Sequence, residues 1–193
     1  SIIAAAVTAE ELQIWTDVSG MMTADPRLVT NAKPITHVSY QEAMELSHFG
    51  AKVLYPPTIQ PVRTHNIDLY IKNTFRPEDP GTLISTRFND ENSDQIAVGI
   101  SNMNKVALMT LEGSGMVGIP GVSAKLFQCL SNEKVNVILI TQSSSEHSIT
   151  IAIGEEDVQR AEKAINTAFD DDLKLQRIDP VKFETSLSII ALV

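Results

Sequence analysis

The sequence is poor in cysteine, in basic clusters and in long apolar runs, and each shortage excludes a class of protein. Cys129 is the only cysteine among 193 residues, so no internal disulfide can form. Its apolar helical neighbours predict a buried thiol in a reducing compartment, the cytoplasm. The net charge of −9 and the lack of a Lys/Arg cluster argue against a nucleic acid partner. No apolar run approaches the roughly 20 residues that span a bilayer, so we do not expect a membrane partner either.

Histidine is equally scarce, and the four histidines are scattered. His37, His48, His65 and His147 show no metal-ligand spacing with one another or with Cys129. We therefore expect no protein-bound metal, and the residues alone point to no catalytic group.

Both ends of the chain have the pattern of interior segments. Ser1 precedes a short apolar helical run, Ile2 to Val7, without an initiator methionine or a charged leader. The last residues, 188–193, have an apolar strand pattern with nothing after it to cover it. We therefore expect an internal piece of a longer polypeptide.

The first half of the chain predicts an α/β region. Leu12 to Thr16 is typical of a short buried strand, and Ile67 to Ile71 alternates as a strand should. Ser39, with Glu42 three residues later, is a capping-box pattern for a helix that should run to Gly50.

Proline and other turn residues predict where this region is interrupted. The Pro56-Pro57 pair is expected to break it, and residues 75–95 are rich in Pro, Gly, Asn, Asp and Ser. We therefore expect a loop and linker over 75–95, with the domain boundary there.

The second half has the pattern βαββαβ, which predicts a ferredoxin-like layer of one sheet with two helices on one face. The run Asp170-Asp-Asp172 is expected to be a solvated helix exit, with a cation contact as the alternative. The predicted strands are 105–111, 135–141, 148–153 and 173–178, with a hairpin turn at 143–146, and the predicted helices are 122–132 and 157–169.

A glycine-rich loop precedes the first of these helices. Gly113, Gly115 and Gly118 match the dinucleotide spacing G-x-G-x-x-G between a strand and a helix. That fingerprint needs an acidic residue about 20 residues on, at the end of the next strand, but this strand ends in Thr141-Gln-Ser143 and a hairpin follows. We therefore do not expect a nucleotide at this loop.

The loop can instead serve a small polar ligand. Backbone amides at a helix start near Pro120 to Ser123 favour a carboxylate. Carbonyls at the edge of strand 135–141 and the side-chain oxygen of Gln142 can accept hydrogen bonds from an ammonium. The alternative is that the glycines only allow close packing and that Gln142 and Ser143 to Ser145 cap a turn. The residues alone leave both readings open.

Several motifs of the first half of the chain occur together in a fixed order. They are Trp15-Thr-Asp17-Val-Ser-Gly20, Thr23-Ala-Asp-Pro-Arg27, the block 39–56, and Ile71-Lys-Asn-Thr74 followed by Pro80-Gly-Thr82. Through these motifs, residues 1–85 resemble the C-terminal part of the catalytic domain of the aspartate kinase family, and 105–178 resemble its first ACT regulatory domain. Within the family, Ile140 to Glu146 is most similar to the bifunctional aspartate kinase/homoserine dehydrogenases.

The resemblance implies an α/β (α+β) fold, the C-terminal piece of an amino-acid-kinase fold followed by a βαββαβ ACT domain. The implied divisions are 1–85 for the catalytic part, 86–104 for a linker and connecting strand, 105–180 for the ACT domain and 181–193 for the first strand of a truncated second ACT domain.

The resemblance also implies that the parent enzyme phosphorylates the side-chain carboxylate of L-aspartate, using ATP and Mg²⁺. The positions that match family nucleotide contacts are Thr16, Asp17, Arg27 and Lys52. Arg27 and Lys52 are suited to phosphate oxygens, and Thr16 and Asp17 to adenine or ribose. Met22 stands where family members commonly carry an aromatic residue against the nucleotide.

Two family motifs that hold phosphates and aspartate have no counterpart in this sequence, namely Lys-Phe-Gly-Gly and a later Gly-rich segment ending in Ser-Asp. Phosphoryl transfer depends almost wholly on positioning and charge stabilisation. We therefore expect this chain alone to be inactive as a kinase, with no cofactor bound.

For the ACT region, the resemblance implies feedback by an end-product amino acid, bound at the seam of a homodimer. Threonine is the first choice. Lysine is second, because the loop 113–123 contains no Asp or Glu for its second ammonium. A purely structural dimerisation module without an effector is the other alternative. The implied effector residues are Met116, Ile119, Gly121, Val122, Ser123, Asn136, Val137, Ile138, Gln142 and Ser143.

Overall fold

The computed structural model describes residues 1–49, 54–86, 97–144 and 147–193. Two compact units divide these residues, one made of Ser1–Met103 with Ile189–Val193 and the other of Asn104–Ser188. Both units contain helices and strands, so the structure confirms the mixed α/β fold expected from the sequence.

The first unit contains three helices and a four-stranded sheet. The strand order is β1-β3-β4-β2, with β1 parallel to β3, β2 parallel to β4, and β3 antiparallel to β4. The elements are α1 (Ile2–Ala6), β1 (Glu11–Thr16), β2 (His37–Ser39), α2 (Tyr40–Phe49), α3 (Pro56–Thr64), β3 (Asp68–Asn73) and β4 (Thr82–Ser85).

The capping box predicted for α2 is present. The Ser39 backbone N–H donates to Glu42 Oε2 at 2.7 Å, and the Glu42 N–H donates to Ser39 Oγ at 3.1 Å. These two bonds satisfy donors that a helix start leaves unpaired, so the start of α2 is specified locally. The predicted end at Gly50 lies outside the described residues.

Three predictions for this unit were wrong. β1 is not buried, because it forms an edge of the sheet and its residues alternate between exposed and half-buried. Pro56 opens α3 rather than breaking the region, since proline fits the first turn of a helix. The predicted loop over 75–95 contains β4, whose Ile84 and Thr82 are buried by pairing with β3.

Tyr40, at the start of α2, is buried in the core of the first unit. Its burial makes the stability of this unit depend on pH. Its hydroxyl donates to the Ile67 carbonyl. Burial, with a smaller contribution from the negative charge of Asp68, raises the pKa of Tyr40 to about 12. The folded state therefore keeps a proton that the unfolded chain loses near pH 10.

We expect the free energy of unfolding to fall by about 1 to 2 kcal/mol as the pH rises from 10 to 12, because only the unfolded state is ionised in that range. Urea unfolding followed by Trp15 fluorescence measures this, since the single tryptophan lies in the first unit. Tyr40→Phe should flatten the decline, whereas Tyr55→Phe, at a side chain 72% exposed, should not. An equal slope in both variants would contradict the assignment to Tyr40.

The second unit is a four-stranded sheet with order β6-β7-β5-β8 and two main helices, which confirms the ferredoxin-like arrangement. Buried residues of α4 and α5 share one apolar core with β5 and β7, including Leu126, Ile165, Met109 and Ile151. The elements are β5 (Ile100–Glu112), α4 (Val122–Asn132), β6 (Val137–Gln142), β7 (Ser148–Gly154), α5 (Val158–Ala168), α6 (Asp170–Lys174) and β8 (Lys182–Leu192).

The predicted fourth strand at 173–178 was wrong. Residues 170–174 form α6, whose first turn carries three aspartates, and negative charge favours a helix start. The sheet is completed by β8, where Lys182 forms an ion pair with Glu112 of β5 and Ser188 Oγ lies 2.9 Å from Asn104 Oδ1. The assignment of 181–193 to a second ACT domain stays a prediction.

Candidate functional site

A cavity of about 350 Å³ lies between the loop before α4 and the β6–β7 hairpin. We call it the Gln142 cavity. No acidic or basic side chain occurs among its described lining residues. Those residues are Met116, Gly118, Ile119, Pro120, Gly121, Val122, Ser123, Gln142 and Ile149.

Local backbone chemistry shapes the loop side of this cavity. Gly118 and Gly121 have φ of +68° and +94°, a left-handed conformation that glycine adopts without a Cβ penalty. Gly121 precedes α4 and has no side chain with which to cap it. Val122 and Ser123, which line the cavity, belong to the first turn of α4, where backbone amides lack intrahelical acceptors. A carboxylate is therefore favoured at this end of the cavity.

The strand side of the cavity is formed by two paired residues. Gln142 is the last residue of β6 and lies opposite Ile149 of β7 in the antiparallel register. Gln142 is exposed, so its amide is available to a ligand, whereas Ile149 is buried and closes the floor. The sequence analysis did not identify Ile149. Ile149 could have been identified from the register of the hairpin, which places it directly across from Gln142.

Six of the ten residues expected to bind the effector line this cavity, and four do not. Asn136 is exposed before β6, Val137 and Ile138 are half-buried within β6, and the Ser143 amide donates to the Ser148 carbonyl at 3.2 Å. Contact between these four and an effector stays a prediction. The six are Met116, Ile119, Gly121, Val122, Ser123 and Gln142.

Two glycines of the G-x-G-x-x-G pattern have a packing role. A Cβ on Gly113 would lie 2.5 Å from the Arg177 carbonyl oxygen, and one on Gly115 would lie 2.7 Å from the same atom. The Gly115 amide also donates to that oxygen at 2.8 Å. The spacing that resembles a dinucleotide loop therefore reflects close approach of the chain around Arg177 at these two positions.

A second cavity, of about 580 Å³, shares residues 119–122 with the first. We call it the Arg177 cavity. Its walls are Val117 and its neighbours on one side and Phe169 and Ile178 on the other, together with the charged side chains of Lys125, Asp172 and Arg177. It was not predicted from the sequence, because its lining comes from two segments, 114–125 and 169–178, that are far apart in the chain.

For Asp172, the structure shows the alternative to a solvated aspartate run, a contact with cations. Lys125 Nζ lies 2.6 Å from Asp172 Oδ2, and Arg177 Nη1 lies 3.8 Å from Asp172 Oδ1. Asp170 forms an ion pair with Lys174 at 2.5 Å, one turn along α6. Asp172 is therefore a shared anion between two cations.

Two of the positions that match family nucleotide contacts, Thr16 and Asp17, lie at the carboxyl end of β1, where parallel sheets commonly bind ligands. Thr16 Oγ1 donates to Asp17 Oδ1 at 3.1 Å, and Asp17 is exposed. Arg27 forms an exposed ion pair with Asp25 at 2.7 Å. The Arg27 guanidinium lowers the pKa of Asp25, so that carboxylate stays ionised. Lys52 lies outside the described residues.

A partly buried hydrogen-bond chain, not predicted from the sequence, holds the turn after β1. Asn73 Nδ2 donates to Ser19 Oγ at 2.9 Å, and Ser19 Oγ donates to Asp79 Oδ2 at 2.5 Å. Asn73 is only 6% exposed, so its side-chain amide serves to hold this turn. The nucleotide contacts implied for Thr16 and Asp17 stay a prediction.

The remaining expectations concern the cysteine, metals and membranes. Cys129 is half-buried, its Sγ donates to the Leu126 carbonyl at 3.1 Å, and burial raises the pKa of the thiol, which disfavours the reactive thiolate. Among the described residues, no group of His, Cys, Asp and Glu could hold a metal ion. In the same part of the chain, no helix has both the length and the apolar character needed to cross a membrane.

Comparison with known families divides the chain in the same order as the two units. Residues 1–73 match the amino acid kinase family, and residues 109–169 match the ACT domain. The chain is 41% identical over 191 residues to the bifunctional aspartokinase/homoserine dehydrogenase of Haemophilus influenzae, covering 99% of the chain and 23% of that protein. It is 39% identical to a chloroplastic counterpart from Arabidopsis thaliana, covering 100% of the chain and 22% of that protein.

Solved structures show the same relationship. Aspartate kinase from Clostridium acetobutylicum superposes with a TM-score of 0.82 at 29% identity, covering 99% of this chain and 43% of that one. E. coli aspartokinase III in complex with lysine and aspartate, in its T-state, gives 0.77 at 29% identity over 99% of this chain and 41% of that one. The chain thus spans under half of these structures and about a quarter or less of the curated relatives.

Proposed function

Since the chain belongs to the aspartate kinase family, we propose that it is the regulatory part of an enzyme that phosphorylates the side-chain carboxylate of L-aspartate, with feedback by threonine bound in the Gln142 cavity. ATP with Mg²⁺ would supply the phosphoryl group in the longer protein. The observation that supports the regulatory role is the cavity itself, where a helix start and the polar end of β6 meet over an apolar floor.

The lining of the Gln142 cavity favours threonine over lysine. The volume of about 350 Å³ suits a small amino acid, and Ser123 and Gln142 offer hydrogen bonds to a hydroxyl. Lysine would place a second ammonium in a site whose described lining has no carboxylate, and an unpaired buried charge is costly. Lysine stays the second candidate because aspartokinase III has been solved in complex with it.

The exposed edge of the ACT sheet supports a homodimer with the effector at the seam. β6 is an edge strand, and Leu139 and Ile140 on it are 41% and 56% exposed. An apolar edge with unpaired backbone groups is a template for pairing with a second copy. Feedback then requires threonine to bind one arrangement of the enzyme better than another, because affinity alone shifts no equilibrium.

Isothermal titration of this chain with threonine, lysine and methionine tests the proposal. We expect saturable binding of threonine, weaker binding of lysine and none of methionine, together with a melting temperature that rises with threonine. If lysine binds more tightly, the effector assignment is wrong. If none binds while the chain still forms a concentration-dependent dimer, the structural-module alternative is correct.

A further inference from the structure

The Arg177 cavity, on the other side of residues 119–122, has a chemistry that the Gln142 cavity lacks. Its volume of about 580 Å³ lies within the range of small-molecule sites. Val117, Ile119, Pro120, Val122, Phe169 and Ile178 provide an apolar lining. Val117 and Ile119 are 44% and 58% exposed, so apolar surface is left open to solvent. This surface would gain free energy by contact with an apolar ligand.

The charged side chains of the cavity leave one positive charge in surplus. Lys125 and Arg177 both converge on Asp172, so two cations share one carboxylate. Lys125 Nζ also lies 4.4 Å from the centroid of the Phe169 ring, which keeps the ammonium against the cavity wall. Arg177 has the longer contact with Asp172, at 3.8 Å, and its side chain is 61% exposed. Its guanidinium therefore has donors available to a second anion.

We propose that the Arg177 cavity binds a small organic acid that carries one carboxylate and an apolar body. The carboxylate pairs with Arg177 and Lys125, and the body packs against Val117, Phe169 and Ile178. Arginine recognises carboxylates with two parallel hydrogen bonds, which gives the site its orientation.

The same chemistry argues against two other ligands. A free amino acid carries an ammonium that needs an acceptor, but both cations already compete for Asp172, the single acidic side chain in the described lining. Inorganic phosphate would leave the apolar walls uncovered. The ligand of this cavity therefore differs in class from the effector proposed for the Gln142 cavity.

An NMR titration of the full chain with 4-methylpentanoate tests the proposal, with 4-methylpentanamide as the uncharged analogue. We expect saturable shifts of the Val117 and Lys125 amides with the acid and much weaker ones with the amide. Arg177→Gln should weaken acid binding about tenfold or more, since it removes a charge-assisted hydrogen bond. Lys174→Gln is the matched control, because Lys174 is paired with Asp170 and is not among the lining residues.

A second variant tests the proposal even if Arg177→Gln fails to fold. Val117→Asp adds a negative charge at the cavity wall, at a side chain already 44% exposed, and should also abolish acid binding. Equal shifts with the acid and the amide, unchanged affinity in Arg177→Gln and Val117→Asp, or equal binding of inorganic phosphate would each overturn the proposal. So would the absence of saturable binding at millimolar concentrations of the acid.

Discussion

Gly115→Ala is expected to destabilise the second unit by about 2 to 3 kcal/mol, because a side chain there has no space. The new Cβ would lie 2.6 Å from Arg177 Cβ, 2.7 Å from its carbonyl oxygen and 2.8 Å from its Cα. Two of these atoms belong to the backbone, so a side-chain rotation cannot relieve the contact. The segment at Arg177 must move, which also weakens the hydrogen bond from the Gly115 amide, now 2.8 Å long.

Gly118→Ala, three residues along the same loop, is the matched control. Nothing lies within 4 Å of a Cβ at that position, but its φ of +68° costs any other residue about 1 to 2 kcal/mol. Thermal unfolding followed by circular dichroism should show a larger loss for Gly115→Ala, while Trp15 fluorescence, which reports on the first unit, should change in neither variant. Equal destabilisation by the two variants would contradict the assignment of the Gly115→Ala effect to a lack of space.

Gln142→Ala is expected to weaken threonine binding about tenfold or more. Gln142 provides the long polar side chain in the described lining of its cavity, and it lies at the end of β6 opposite the first turn of α4. The loss of one hydrogen bond to a charged group costs about 1.5 to 3 kcal/mol, and 1.4 kcal/mol corresponds to a factor of ten in affinity. Calorimetric titration with threonine measures the change.

Gln128→Ala serves as the control for this experiment. Gln128 lies on α4, where its Nε2 donates to Asn132 Oδ1 at 2.9 Å, and it is not among the lining residues. The two variants should unfold at the same temperature without ligand, since both remove an exposed side chain. An unchanged threonine affinity in Gln142→Ala would remove Gln142 from the site and leave the loop residues to carry the binding.

Local sequence patterns predicted most elements correctly where the signal lay within one element. The capping box at Ser39 and Glu42 and the apolar stripe of α4 are examples, because side chains a few residues apart determine both. The predictions failed where contacts with another element decide the local structure. The strand β4 depends on pairing with β3, and apolar Leu173 and Ile178 fit a strand pattern although a helix begins at Asp170.

The candidate site could likewise be predicted only in part from the sequence. The loop half of the Gln142 cavity follows from glycines and a helix start, which the sequence displays directly. On the strand half, the pairing of β6 with β7 shifts register between Val137 and Leu139, so the simple alternation of faces does not hold there. A bulge of this kind redirects side chains, and a single sequence gives no sign of it. Val137 and Ile138, which the resemblance implied for the effector site, lie at this shift and are absent from the described lining.

The sequence by itself determined the class of each unit, the order of the first three strands and the two main helices in the ACT region, and the place where a helix start meets a polar strand end. These depend on periodicity and on residues close together in the chain. Only the tertiary structure decided that β8 completes the second sheet, that Gly113 and Gly115 pack on Arg177, and that Lys125, Asp172 and Arg177 meet in a second cavity. Contacts between residues far apart in the chain depend on how the layers pack, and no local pattern encodes that.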